Sequence, residues 1–334
     1  MSSTLLPPLY AAFVWWFSTG AVLLLVGRAG GSLALKVVCT AGLAASGLYA
    51  LAVTANDVSV GGAYAAFTGT ILLWGAQEIA FLAGWVTGPR PLACRTGVKG
   101  IGRLGLALQA IAYHELVLLA CGSTVVLLTW SGASKVGLWT FAALWVLRQS
   151  AKINLFLGVP VTNDELMPEP VRFLKSYFRQ KPVSGFFPLS VTLATAALVI
   201  MIQRLVEVAA TPFEIAGLTL VSTLFALGVI EHWFMLLPLP AITLWGWGMR
   251  TPVSEETIMK PTLDSKPPAA MSQLMVISSD RPEPTPVPAR SISARQRLED
   301  EFRRRFLEQN PRSDSATTRH LDTAPAATIN GRTS

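Results

Sequence analysis

Leu104 to Trp130 reads LGLALQAIAYHELVLLACGSTVVLLTW, and how this stretch is read decides the fold. It is 27 residues long and apolar except near its middle, where His114 and Glu115 stand side by side. A run of that length spans a bilayer as a helix. Two ionisable side chains inside it are costly against hydrocarbon, so they are expected to face protein or a wet cavity. Two other apolar runs carry a similar intrusion, Gln77–Glu78 in one and Glu231–His232 in the other. The expected organisation is a helix bundle built around these three pairs.

Composition agrees. The chain has 334 residues, 51% hydrophobic and only 14% charged, with a mean hydropathy of +0.47. That balance describes a multi-span membrane protein, not a soluble domain. The net charge of +7 does not imply nucleic acid, because the basic residues collect in inter-helix loops and the tail. Cys39, Cys94 and Cys121 are far apart and odd in number, which argues against a disulfide framework or a zinc knuckle. No basic n-region precedes the first apolar run, so a cleaved signal peptide is not expected.

The fold class expected is all-α, a polytopic transmembrane bundle of about seven spans with a disordered C-terminal tail. The spans are Pro8–Val26, Leu33–Val53, Gly61–Val86, Leu104–Trp130, Val136–Val159, Pro188–Val208 and Gly217–Leu237. Small residues at Ala41, Ala45 and Ala52 predict tight packing of the second span. Pro238 and Pro240 close the seventh, and AITLWGWGM, with Trp245 and Trp247, is expected at the membrane interface. Lys and Arg concentrate in alternate loops. They are Arg28 with Lys36, then Arg90, Arg95, Lys99 and Arg103, then Arg172, Lys175, Arg179 and Lys181, then thirteen from Arg250 to Arg332. This bias predicts an N-terminus on the outer side of the membrane and a C-terminus in the cytoplasm.

Residues 1–250 form the expected bundle and 251–334 the tail, rich in Pro, Ser and Arg. One short helix is expected in the tail, near 294–309, where Leu298, Phe302 and Phe306 make a stripe. The cytoplasmic loop 159–187 carries VRFLKSYFRQK, read as a basic amphipathic helix. Its Arg172, Lys175, Tyr177 and Arg179 are the expected surface for anionic lipid or a partner. GIGRLG (Gly100–Gly105) matches a phosphate-binding pattern but no strand precedes it, so its glycines are read as a flexible loop and close helix packing.

At 1.5 Å per residue, Glu78, His114 and Glu231 lie roughly 12, 15 and 9 Å from the cytoplasmic ends of their spans. The candidate intramembrane polar cluster is therefore Glu78, His114, Glu115, Arg148, Lys152, Asn154, Glu231 and His232. Three readings of it stay open. Buried ion pairs and hydrogen bonds join the spans, with Arg148 and Lys152 neutralising Glu78, Glu115 or Glu231. Alternatively a histidine is the axial ligand of a haem or a bacteriochlorin. Or His114, Glu115, Glu231 and His232 supply ligands to a catalytic transition metal. No complete catalytic triad, phosphate loop or metal motif is present, so an enzyme is not the favoured class. A transporter using the charges is the weakest alternative, since no inverted repeat is detectable.

INLFLGVPVTNDELMPEPVRFLKSYFRQKPVSGFFPLS (Ile153–Ser190) resembles the central signature of the PuhE family, photosynthetic-complex assembly proteins of purple phototrophic bacteria. The HE pair at 114–115 and EHWFMLLPLP (Glu231–Pro240) resemble other segments of that family. The resemblance runs from about Pro8 to Arg250 and excludes the tail. It implies an integral inner-membrane protein that helps assemble the reaction centre and core antenna. The partners implied are membrane lipid and reaction-centre or core-antenna polypeptides, or other assembly factors. It brings no catalytic residues.

Overall fold

A computed structural model describes residues 2–27, 32–237 and 241–248. Within them the chain is all-α, with no strand. Seven long helices follow one another: α1 (Ser2–Val26), α2 (Leu33–Thr54), α3 (Val60–Leu82), α4 (Gly100–Thr129), α5 (Val136–Leu157), α6 (Phe186–Glu207) and α7 (Pro212–Phe234). The short α8 (Ala241–Trp245) comes after them. The expected tail, including the 294–309 helix, lies outside the described residues.

Helix starts follow local chemistry. The Ser59 hydroxyl accepts the Gly62 N–H at 3.0 Å and starts α3. Thr211 and Glu214 form a reciprocal capping box at α7, with Pro212 in the first turn, where its missing N–H costs nothing. Six helices are long and apolar enough to cross a membrane: α2, α3, α4, α6, α7 and the Leu5–Val26 part of α1. The seventh expected span, α5, has the same 22 residues as α2 and α6. Arg148, Gln149 and Lys152 dilute its apolar character. It nevertheless runs through the bundle, packed against α3, α4, α6 and α7.

The core lies where α3, α5 and α7 meet, with α1 against them, and holds Ala11, Phe67, Ala143, Leu147, Leu220 and Leu224. On α2 the close-packed face is not the one expected. Ala41, Ala45 and Ala52 are exposed. Contact with α3 is made instead through Gly47, where a Cβ would stand 2.6 Å from the Gly69 carbonyl oxygen. Of the GIGRLG glycines, a Cβ at Gly100 or Gly105 would meet open space, and one at Gly102 would meet the nearby Val98 side chain at 3.2 Å but no other helix.

Several ends differ from the sequence reading. α3 stops at Leu82, not Val86, and the chain turns back onto the side of α4. The Thr87 carbonyl accepts the His114 backbone N–H at 3.0 Å, and the Arg90 N–H donates to the Gln109 carbonyl. Gly88 lies so close to the α4 backbone at Gln109 and Ala110 that no side chain fits. With these ends, Glu78 sits roughly 6 Å from the end of α3 and Glu231 roughly 4.5 Å from the end of α7. The 30 residues of α4 make a rod of about 45 Å, longer than the roughly 30 Å of hydrocarbon. Glu78 and Glu231 therefore lie nearer their helix ends than expected, whereas His114 lies farther, roughly 21 Å from the start of α4.

The segment within 159–187 forms a helix, Glu169–Tyr177, and it is a 3-10 helix. Val171, Leu174 and Tyr177 recur every third residue, which is one face at three residues per turn. That face packs on Phe81 and Ala110. α8 lies along α1: the Trp16 indole donates to the Leu244 carbonyl at 2.8 Å and the Trp245 indole to the Trp16 carbonyl at 3.1 Å.

Candidate functional site

The polar layer begins with α5. Arg148 and Lys152 are four residues apart, hence on one face. Arg148 Nη2 meets Glu78 Oε2 on α3 at 3.0 Å. Lys152 Nζ meets Glu115 Oε1 on α4 at 2.6 Å. Gln149 donates to Glu115 Oε2 at 2.7 Å, and Gln77 donates to Glu78 Oε1 at 3.2 Å. One face of α5 thus clamps two neighbouring helices by charge.

The other side of α5 is neutral. His232 Nδ1 lies 2.7 Å from the Gly228 carbonyl, and its Nε2 lies 2.8 Å from the Ser150 hydroxyl. A carbonyl only accepts, so Nδ1 carries the proton; in the neutral ring Nε2 accepts from Ser150. Asn154 donates to the Ser150 carbonyl at 3.1 Å and to the Ser190 hydroxyl of α6 at 3.0 Å. Ser190 passes its proton bond to the Phe187 carbonyl. This chain ties α5 to α6 and α7 without charge.

His114 stands apart. It is fully buried and stacks on Phe81, ring centroids 4.0 Å apart. Neither ring nitrogen has a hydrogen-bond partner among the described residues. Glu231 also departs from the expected arrangement. Among the described residues it forms no ion pair with Arg148 or Lys152 but accepts a 2.8 Å hydrogen bond from the Trp15 indole of α1. With His232 turned inward, the adjacent residue must point about 100° away on the helix.

The metal candidates are not brought together. Among the described residues no three His, Cys, Asp or Glu side chains form a metal-binding group. Glu115 is engaged by Lys152 and Gln149, and both His232 nitrogens are already bonded. The expected partner surface needs correction too. Tyr177 is buried, donating to the Leu92 carbonyl at 2.9 Å and accepting from Arg90 at 2.6 Å. Arg172 pairs with Glu169, and Lys175 with Asp164 at 2.9 Å. That Lys175 hydrogen bond holds the Asp164 carboxyl below the usual carboxylate range. Arg179 is half-buried, its backbone bridging Leu155 and Val159. Basic composition on a short loop suggested an open surface; internal carboxylates close part of it.

Sequence reasoning missed Gln149, Ser150, Ser190, Trp15 and Arg103. The buried Arg103 stacks its guanidinium 4.1 Å over Phe156. It donates to the Phe156 carbonyl at 3.0 Å and to the Tyr177 carbonyl, closing the C-terminal end of α5. Its signal was present as the one arginine inside GIGRLG. Beside the layer, α6 and α7 border an open apolar groove of about 880 Å³, lined by Phe187, Pro188, Thr192, Thr195, Val199 and Trp233 among others.

Comparison with known proteins adds a family and a relative. Residues 1–256 match the family described as "Protein of unknown function (DUF3623)". A Rhodobacter capsulatus protein named "Uncharacterized 30.4 kDa protein in puhA 5'region" is 39% identical over 251 residues, covering 74% of this chain and 91% of that protein. No solved structure matches the chain.

Proposed function

The chain belongs to the DUF3623 family, and on that premise we propose that it is a membrane assembly factor for the photosynthetic reaction centre and core antenna of an anoxygenic phototroph. The observation that supports this most is the relative named for the puhA 5' region. That location, in the region 5' of puhA, agrees with the resemblance of Ile153–Ser190 to the PuhE family. The geometry fits a scaffold: the carboxyl groups of Glu78 and Glu115 and the ring of His232 are engaged by neighbouring helices. The transition-metal reading has no group of three ligands behind it among the described residues.

Deleting the gene in a phototrophic host should lower reaction-centre and core-antenna absorbance while respiratory growth stays normal. Unchanged pigment–protein levels would overturn the assembly role. The proposed site is the inner membrane, with the N-terminus periplasmic and the C-terminus cytoplasmic, as the basic loops imply. A reporter active only in the periplasm should work when fused at Asp57 and be silent when fused after Arg250. The opposite pattern reverses the topology.

A further inference from the structure

The polar layer contains three carboxyl groups, and among the described residues two of them have a cation partner. Glu78 has Arg148, and Glu115 has Lys152 with Gln149. Glu231 has one donor among the described residues, the neutral indole of Trp15. A carboxylate has about four acceptor positions, so most of its capacity is open. It is also exposed on the outside of the bundle, in the last turn of α7. Ionisable groups against lipid are rare, because they cost free energy unless paired.

The surroundings of Glu231 are those of a helix contact. Thr223, Leu227, Ile230, Glu231 and Phe234 recur at the spacing of one α-helical face and are half-buried or exposed. Ile230 is 47% exposed. Ala226, on the same side, is small enough for a second backbone to come close. A stripe of this kind, with one acid that has no ion-pair partner among the described residues, calls for a complementary basic group.

We propose that this outer face of α7, with Glu231 and Trp15 at one edge, docks a transmembrane helix of a second polypeptide carrying a lysine or arginine at the depth of Glu231. The basic side chain completes the acceptor positions that Trp15 leaves open. Charge complementarity then sets both the register and the choice of partner. The docking rests on the membrane-spanning fold and not on the assembly role, so its test and the gene deletion fail independently.

The full-length protein, reconstituted in liposomes, is titrated with synthetic Leu/Ala transmembrane peptides, and association is read by energy transfer. The peptides differ at one position, set to the depth of Glu231: Arg, Leu or Glu. The Arg peptide should associate about tenfold more tightly than the Leu peptide, and the Glu peptide more weakly than either. E231Q keeps an acceptor for Trp15 and should abolish the preference for Arg; E231K should favour the Glu peptide. If wild-type protein ranks the three peptides equally, or E231Q still prefers Arg, the proposal is wrong. Equal ranking is also the result expected if a second copy of the chain, or one of its own basic residues, occupies the face. Should E231Q fail to accumulate, the ranking by wild-type protein decides alone.

Discussion

Toward α3 and α4, α5 presents Arg148 and Lys152 to carboxyl groups; toward α6 and α7 it presents Ser150 and Asn154 to neutral side chains. The same contrast recurs in the two histidines. His232, on the neutral side, has both ring nitrogens bonded, whereas His114, on the charged side, has neither bonded among the described residues. A charged wall tolerates imprecise geometry, because Coulomb attraction falls slowly with distance, but it strands a charge when one partner is lost. A neutral wall depends on direction: each donor needs an acceptor within about 3 Å and in line. One helix thus uses range on one side and geometry on the other.

The contrast breaks most clearly at Arg148. The Arg148→Ala change leaves Glu78, only 11% exposed, without its cation. The expected loss is about 3 kcal/mol, the low end for buried pairs because Arg148 itself is 40% exposed. It should be seen as lower yield in membranes and earlier thermal unfolding in detergent. Adding Glu78→Gln should recover part of that loss; a double variant no better than the single one would show that the pair does not carry the effect.

The neutral side predicts a smaller loss. His232→Leu removes two hydrogen bonds and leaves the Ser150 hydroxyl unpaired, for about 2 kcal/mol. His232→Gln, which can still reach a partner, should cost less in the same unfolding measurement. Equal costs would show that packing of the ring outweighs its hydrogen bonds. At His114 the expectation is smaller again. His114→Leu removes no side-chain hydrogen bond to the described residues and loses only the stack on Phe81, so the change should lie within about 1 kcal/mol of zero. A large loss would place a bonding partner on that ring.

The smallest effect belongs to the loop. Lys175 and Asp164 are each about one-third exposed, so Lys175→Ala should cost only about 0.5 kcal/mol. The Asp164 carboxyl is lowered from 3.8 in the folded chain, first by the hydrogen bond from Lys175. Its contribution is therefore complete above that ordinary value and is lost as pH falls through the lowered one. Wild-type protein should lose its margin over the Lys175→Ala form in that acid window and keep it at neutral pH.

The helices were legible because apolar runs of 20 or more residues allow few alternatives. Even α5 could be placed, although Arg148, Gln149 and Lys152 interrupt its hydropathy, because its length and the charge alternation of the loops required it. The pairings were not legible. Glu78, Glu115 and Glu231 are equivalent as letters, and only helix rotation turns Glu231 toward Trp15. Depth was misjudged for a related reason. Apolar composition continues through Trp85 and Val86, but the backbone leaves the helix after Leu82, where Gly84 turns left-handed (φ +79°) and ends it; that signal was one glycine inside an apolar run. The 3-10 helix was hidden because Val171, Leu174 and Tyr177 fit a period of three and approximate a period of 3.6 equally well over so short a stretch.

The two ion pairs of α5 also impose an order on biosynthesis. Lys and Arg each oppose translocon insertion by about 2.5–3.5 kcal/mol at the centre of a helix. α5 carries one of each and is the least apolar of the seven long helices. The ribosome makes α3 and α4 first, so Glu78 and Glu115 are already in the membrane when Arg148 and Lys152 emerge. The earlier helices can thus act as the receptor for the later one. A nascent chain whose first four helices are misplaced leaves α5 no favourable way to enter the bilayer.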